Sequence, residues 1–486
     1  KSGSQYQIAS TFDNLIAGSY LHSVGTFMTL ELVRAPSVSV TTLISPANTG
    51  VSFVWSFPQW SKERGFPQKI SFVGTRLVLG GITVDREGIW MSSAQNILQF
   101  NNLRFKMDEL ATSSDVGLYG AIAAYDPHLT RATSAQFNRI SWIMNAQQLT
   151  IGCEGGLYII NRSENGDYQP LTSTSSALSY DSSKAIEPTM MEFGIVFVDY
   201  TGKKILFVDY RAEKQTVSEL SLLVNEEFTN IKKIVYQRSI KTLWILDEGD
   251  KLYSFTLSTF TNVAGFAKHS HPLEGKSQFG LNDIFLNDQD ELCLLYTETQ
   301  LAGMFKYVFF VLEVNPLTGE KVYLDGYHTG SHVSHSNVWN FKDEFPNIDY
   351  LQGETVSCLV DGQETTGTID DGILTTVLAG TSIIFGRAIN AKMKSINLDV
   401  GGTIGTGLGA IKRVDEVVVK LKNSQKVKVG GTTLFPVKQA ESALFSGEVI
   451  EKVAASPNSE SYITVESTSP YPCNVLYLIY KGFTQE

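Results

Sequence analysis

The stretch from Ile195 to Tyr210, "IVFVDYTGKKILFVDY", sets two runs of β-branched and aromatic residues on either side of Asp-Tyr-Thr-Gly. Runs of this kind fit a pleated, half-buried surface, and the glycine between them accepts the positive φ of a tight reversal, so the stretch reads as a β-hairpin turning at Gly202. The pattern recurs. "LTIGCEGGLYII" (Leu149–Ile160) turns at Gly155, "LWILDEGDKLYSFTL" (Leu243–Leu257) at Gly249, and "LCLLYTETQ" with "YVFFVLEV" (Leu292–Val314) near Thr299. Gly155, Gly202 and Gly249 stand 47 positions apart, close to the repeat of a four-stranded propeller blade. A lone hairpin cannot bury both faces of its sheet, whereas stacked blades cover one another and leave only short edges. The expectation is an all-β chain with a β-propeller; an open β-sandwich of the same strands is the alternative.

Outward from this core, "ISFVGTRLVLGGITV" (Ile70–Val84) and "GIWMSS" (Gly88–Ser93) form an earlier hairpin unit, and the polar segment Asn101–Ser134 reads as an insertion between blades. Residues 1–60 hold strand-like runs such as "FMTLELV" and "VSVTTLI" and are expected to be the end of an N-terminal β-domain, with a preceding part absent from this sequence as part of that expectation. The propeller is expected over 61–340. From 341 to 486, short strands between glycine turns ("TVSCLVDGQ", "SIIFGRA", "VDEVVVKLKNS", "YITVES", "NVLYLIYKG") predict a further, sandwich- or barrel-like β-domain.

Composition narrows the function classes. Of 486 residues, 43% are hydrophobic and 18% charged, an ordinary globular balance. Fifty acids against 39 Lys and Arg leave a formal charge of -11, which argues against tight nucleic-acid binding through counterion release. The four cysteines are far apart, form no C-x-x-C pair and sit in apolar stretches, so reduced, buried thiols are expected. "GILTTVLAGTSIIFG" (Gly372–Gly386), the longest uncharged apolar run, is too short and too polar for a membrane span. The opening "KSGSQYQIAS" has neither a basic nor an apolar region and reads as neither a signal peptide nor a natural start.

Several residue patterns bear on chemistry. His328, His332 and His335 in "YHTGSHVSH" offer imidazoles for a metal, as do His269 and His271 in "KHSHP", but no acidic or cysteine partner stands at a fitting offset, so solvated linkers are expected. "GTGLGA" (Gly405–Ala410) satisfies G-x-G-x-x-A, yet a strand-like run follows where a helix should open. The pairs Asp370–Asp371 and Glu226–Glu227 point to opposite faces if they lie in strands and cannot converge on one bond. The basic run Lys412–Lys428 reads as the charged outer face of one hairpin, and Ser163–Ala185 as an aperiodic loop, an ordinary surface loop before a mobile or partner-facing one. Nucleophile-elbow, zincin, Walker and EF-hand patterns are absent. Catalytic, cofactor-binding and metal sites are therefore all expected to be none.

The opening hairpin carries a resemblance. Trp60, Ser61, Arg64, Gly65, Pro67, Arg76, Leu77, Gly80, Trp90 and Ser92 resemble the tail nozzle (tail tubular protein B-like) family of short-tailed bacteriophages. The likeness runs on through "RISWIMNAQQLTIGCEGGLYII", "EPTMMEFGIVFVDYTGKKILFVDY", "LQGETVSCLVDGQ" and "VLYLIYKG", and so spans most of residues 50–486. A Thr-Gly-Gly-Glu-Leu-Ser-Pro-like motif expected near the N-terminus is missing. The resemblance implies a virion structural protein, assembled in the host cytoplasm as a homohexamer below an adaptor ring, with other tail proteins or fibres as neighbours. Its lumen would conduct or gate genomic DNA without gripping it, which an excess of carboxylates suits; no small-molecule substrate and no enzymatic activity are implied. Two other readings exist. One is a propeller that binds or cleaves host-surface glycans, with Trp339 stacking on sugar. The other is a peptide-binding cellular scaffold, which should show Trp-Asp blade signatures where this chain has "FVDY" and "YSFTL".

Overall fold

The computed structural model describes residues 65–98, 139–163, 166–170, 173–211, 215–222, 224–258, 263–275, 279–298, 305–311, 322–342, 348–395, 411–430, 432–434, 444–452 and 462–485, with the shorter pieces 20–24, 27–31, 60, 100 and 128–132. Two compact units divide the chain, Lys1–Ile234 and Val235–Glu486.

In the first unit, β1 (Tyr20–Val24) and β2 (Phe27–Glu31) form a two-stranded sheet within the expected N-terminal β-domain. "VSVTTLI" lies outside the described residues. Three antiparallel meanders follow, each with its strands in chain order: β3 (Lys69–Val73), β4 (Arg76–Gly80), β5 (Gly88–Met91) and β6 (His128–Arg131); β7 (Ile140–Asn145), β8 (Leu149–Cys153), β9 (Gly156–Ile160) and β10 (Ser175–Ser179); β11 (Thr189–Met191), β12 (Gly194–Val198), β13 (Ile205–Asp209) and β14 (Thr216–Glu219). This is the blade unit of a β-propeller. Part of the segment expected as an insertion between blades, His128–Arg131, is β6, the fourth strand of the first blade, so that segment interrupts the chain between the third and fourth strands of one blade; residues 101–127 lie outside the described residues. Similarly, Ser163–Ala185 is only partly loop. Its Ser175–Ser179 closes the second blade as an edge strand, whose ladder bonds on one side tolerate a serine-rich sequence.

The turns explain the 47-residue beat. Gly202 (φ 76°) and Gly249 (φ 75°) close the second-to-third-strand hairpins of their blades, as the turn at Gly155 does in its own. Beneath Gly202, the buried Asp199 carboxylate accepts hydrogen bonds from the backbone N–H groups of Thr201, Lys203 and Lys204 at 3.0–3.2 Å and from the Thr201 hydroxyl at 2.7 Å. An aspartate that satisfies its own turn in this way is the local reason that "VDYTGKK" reverses where it does. Blades then bury one another. Val73, Val78, Ile89 and Met91 of the first pack on Ile140, Leu149, Ile151 and Tyr158 of the second. Trp142 and Leu157 of the second pack on Ile195, Phe197, Leu206 and Val208 of the third, with the Trp142 and Phe197 rings 5.6 Å apart.

A fourth meander joins β15 (Ile231–Gln237), which straddles the unit boundary, to β16 (Thr242–Asp247), β17 (Lys251–Ser258) and β18 (Val263–His269). β19 (Phe279–Leu286), β20 (Leu292–Glu298) and β21 (Phe305–Val311) make a three-stranded fifth; its turn near Thr299 lies outside the described residues. Trp244, Leu246 and Leu252 of the fourth pack with Leu281, Ile284, Leu294 and Tyr296 of the fifth.

Beyond the blades, β22 (Leu324–Asn340), β23 (Thr355–Val360), β24 (Gln363–Asp370) and β25 (Ile373–Ala388) form one sheet in the order β22-β25-β23-β24. The polar "HTGSHVSHSNVWN" is thus strand and not loop: its ladder is completed by β25, the apolar run once weighed against a membrane span, and its short side chains do not obstruct that pairing. The remaining strands are β26 (Ala391–Lys394), β27 (Ile411–Ser424), β28 (Val427–Val429), β29 (Thr432–Leu434), β30 (Phe445–Lys452), β31 (Thr464–Ser467) and β32 (Val475–Gln485). They build two sheets, β26-β31-β28-β29 and β30-β27-β32, whose inner faces share one apolar core of Val414, Val417, Val419, Leu421, Val427, Val429 and Val465. That is a sandwich. The basic run Lys412–Lys428 therefore spans two sheets and is not one hairpin, and Lys412 is buried. The chain is all-β: propeller-type blades, then additional sheets. No helix among the described residues is long and apolar enough to cross a membrane.

Candidate functional site

Two constellations gather polar or motif residues. The first lies in the opening blade. Arg76 on β4 is 5% exposed, and its Nη1 donates to the Ser92 carbonyl at 2.5 Å; the Ser92 hydroxyl in turn accepts from the Leu77 N–H at 2.8 Å. Leu79 on β4 pairs with Trp90 on β5, whose ring meets Trp60 edge-on at 6.4 Å, and Trp60 meets Phe100 at 5.0 Å. Gly65 holds φ 90°, where a Cβ would strike the Thr83 Oγ1 at 2.8 Å, and a Cβ on Gly80 would strike Ile143 of the next blade at 2.8 Å. Ser61 and Arg64 lie outside the described residues; of the other residues that carry the family resemblance, Arg76 is a buried guanidinium tying two strands, Trp60 and Trp90 meet edge to face, and Gly65 and Gly80 admit close approach.

The second constellation joins β17, β18, β20, β22 and β25 in the second unit. His271 Nε2 is 2.8 Å from the Asp250 carbonyl oxygen, and its Nδ1 is 2.8 Å from the Tyr296 hydroxyl. A carbonyl only accepts, so Nε2 carries the proton and Nδ1 accepts from the tyrosine. Both ring nitrogens are spoken for. Burial depresses the basicity of His271, and of His269, which contacts the Ser254 hydroxyl at 2.7 Å. His328 follows the same logic: Tyr350 donates to the Gly326 carbonyl at 2.8 Å, leaving its oxygen to accept from His328 Nε2 at 3.0 Å, and burial pushes the imidazole down to about 4. The buried neutral histidines are structural donors and acceptors, not the solvated linkers that their polar sequence context suggested. His332 lies edge-on to Trp339, His335 is exposed, and the described residues hold no group of three metal-ligating side chains.

Beside them, Asp325 accepts from the Ser270 hydroxyl at 2.8 Å. Burial pushes its carboxyl up to about 6, with Glu274 adding to the rise while Ser270 and Arg387 oppose it. Arg387 Nη1 donates to the Pro272 and Glu274 carbonyls at 2.9 and 3.1 Å, and its Nε lies 3.5 Å from Glu354. This cluster can exchange one proton near pH 6. It draws on residues as far apart as 250 and 387, and no local spacing in the sequence announces it.

The remaining candidates fall as follows. Trp339 is 1% exposed with its Nε1 3.4 Å from the Thr376 hydroxyl, so it belongs to the core and cannot stack on a sugar. Asp370 ends β24 and Asp371 (φ 43°) sits in the hairpin turn with Lys342 on it; Glu226 and Glu227 lie in a 3₁₀ turn, Asn225–Glu227. Neither pair is in a strand interior, because both sit where the chain reverses and carboxylates reach solvent. Gly405–Ala410 lies outside the described residues. All four cysteines are free; Cys153, Cys293 and Cys358 are buried, whereas Cys473 is half-buried.

No family model and no curated protein matches the chain. Among solved structures, an exo-β-1,3-galactanase from Phanerochaete chrysosporium is 10% identical over 85% of this chain and 95% of its own, with a TM-score of 0.24. The β-propeller domain of Cps50 (Swd1) from Myceliophteria thermophila is 8% identical over 65% of this chain and 96% of its own, with a TM-score of 0.26. YCF48 from Cyanidioschyzon merolae is 11% identical over 65% and 81%, at 0.29. Likeness this remote carries no argument about substrate or partner.

Proposed function

We propose that the chain is a structural component of a short-tailed bacteriophage tail, a nozzle subunit that conducts or gates genomic DNA during ejection. The observation that carries this reading is that its described motif residues serve packing: Arg76 bonds Ser92, Trp60 meets Trp90, and Gly80 admits Ile143 of the next blade. A signature made of packing residues is what a scaffold family would share, whereas an enzyme family would share groups aimed into a cleft. Supporting it, His269, His271 and His328 are committed to internal hydrogen bonds and Trp339 is core. The net charge of -11 suits a conduit from which a duplex must slide free. Six copies would close into a ring below an adaptor protein, each subunit offering two complementary faces. Residence in the virion tail belongs to the same reading.

The test is native mass spectrometry and electron microscopy of the purified chain, alone and with the adaptor ring of its phage. Six-fold rings with an open channel are expected. A chain that stays monomeric with its adaptor, and is retained on a glycan array, would replace this reading with a glycan-binding or glycan-cleaving propeller.

A further inference from the structure

The three-stranded sheet β30-β27-β32 turns one face to the sandwich core; on its other face Ile450 and Ile479 of the two edge strands are exposed, while Val418 between them on the central strand is 6% exposed. Strand alternation and register set three rows there. The first is Lys452–Glu416–Lys481, the second Ile450–Val418–Ile479, and the third Glu448–Lys420–Tyr477. Within the first, Lys481 bonds Glu416 at 2.5 Å. Within the third, Glu448 accepts from Tyr477 at 2.6 Å and from Lys420 at 3.3 Å. Ile450 is 58% exposed and Ile479 48%, although both lie on the middle row, where a soluble sheet would ordinarily place polar side chains.

We infer that this face docks on the same face of a second copy of the chain, about a two-fold axis that crosses the strands along the Ile450–Val418–Ile479 row. Under that operation the apolar row faces itself. The two charged rows exchange places, so Lys452 meets Glu448, Glu416 meets Lys420, and Lys481 meets the Tyr477 hydroxyl, each contact occurring twice. A two-fold axis parallel to the strands would instead set Lys452 against Lys481, so the charge pattern selects one register. Aligned sheets pack about 10 Å apart, a gap that Ile side chains fill and Lys and Glu side chains span. The patch is only three strands wide, small beside the ~800 Å² per partner of a standard interface, so association is weak and rises with concentration. A cyclic ring uses head-to-tail contacts, whereas this contact is isologous. It is therefore independent of the nozzle reading, and would pair two subunits or two whole rings.

Sedimentation equilibrium of the chain from about 1 µM to about 1 mM reads the outcome. The mass of the starting species, monomer or ring, is expected to double, and Ile479→Asp to abolish the doubling. Lys452→Glu and Glu448→Lys should each weaken pairing by about tenfold, and the two together should restore it to within about threefold. Circular dichroism confirms that each variant is folded, and weakening of wild-type pairing in high salt is the parallel expectation that needs no variant. A mass that never doubles, or doubling that survives Ile479→Asp, overturns the contact. Failure of the double variant to restore what each single one loses overturns the register.

Discussion

Asp325 and His328, three residues apart on β22, are half-buried ionisable groups whose desolvation acts on stability with opposite signs. The folded His328, near 4, lies below the ordinary imidazole value of 6.5, so its stabilising effect is complete above pH 6.5 and is lost as pH falls toward 4. The folded Asp325, near 6, lies above its ordinary 3.8; its effect is complete below 3.8 and is lost as pH rises through 6. Asp325→Asn should therefore raise the melting temperature at pH 8 by a few degrees, with the gain gone by pH 4. His328→Gln should flatten the acid-side fall between 6.5 and 4. Melting curves across that range check both, and an Asp325→Asn gain independent of pH would contradict the assignment. Neither residue was legible as a titrating site, because the groups beside them come from distant segments: Phe385 and Arg387 from β25, Tyr350 from a 3₁₀ turn and Ser270 from the residue after β18.

At the level of the element, hairpin turns carry the repeat, and their glycines differ in what surrounds them. At Gly249 a methyl group would meet open space, so Gly249→Ala should cost only the left-handed backbone penalty, about 1 kcal/mol. At Gly202 it would lie 2.6 Å from Asn230 Oδ1 and 2.7 Å from Lys184 Nζ. Those two atoms bond each other, and the lysine also donates to the Ile231 carbonyl, so relief breaks a buried network. Gly202→Ala should cost roughly 1–2 kcal/mol more than Gly249→Ala, read as a difference in denaturant unfolding. Hairpin existence was readable from "YTGKK" and "DEGDK"; which turn is pressed by neighbours was not. The long strand β22 shows the converse, since a polar sequence became strand through its partner β25.

For the whole molecule, acidity and repetition dominate. With -11 formal charges the chain should show no retention of duplex DNA at about 0.15 M salt in a filter-binding or mobility-shift measurement, whether as a monomer or as a ring. Retention that fades steeply with added salt would reveal a clustered basic surface and count against a non-gripping conduit. Under the proposed nozzle reading, reversing acids that line the channel should slow genome ejection, and unchanged ejection kinetics would count against that role for them.

The sequence by itself determined the strand content, the 47-residue blade rhythm and the turns that produce it, because alternation and positive-φ glycines are local properties of the chain. It also determined the acidity, and placed Trp60, Arg76, Trp90 and Ser92 in one signature. Only the tertiary structure decided that the described signature residues serve packing, that the long insert precedes the fourth strand of the first blade, and that His269, His271 and His328 are internal hydrogen-bonding groups. It alone aligned three rows of β30, β27 and β32 into a self-complementary face. These depend on which strands become neighbours, and pairing between distant segments is set by the burial of the whole, which no short stretch encodes.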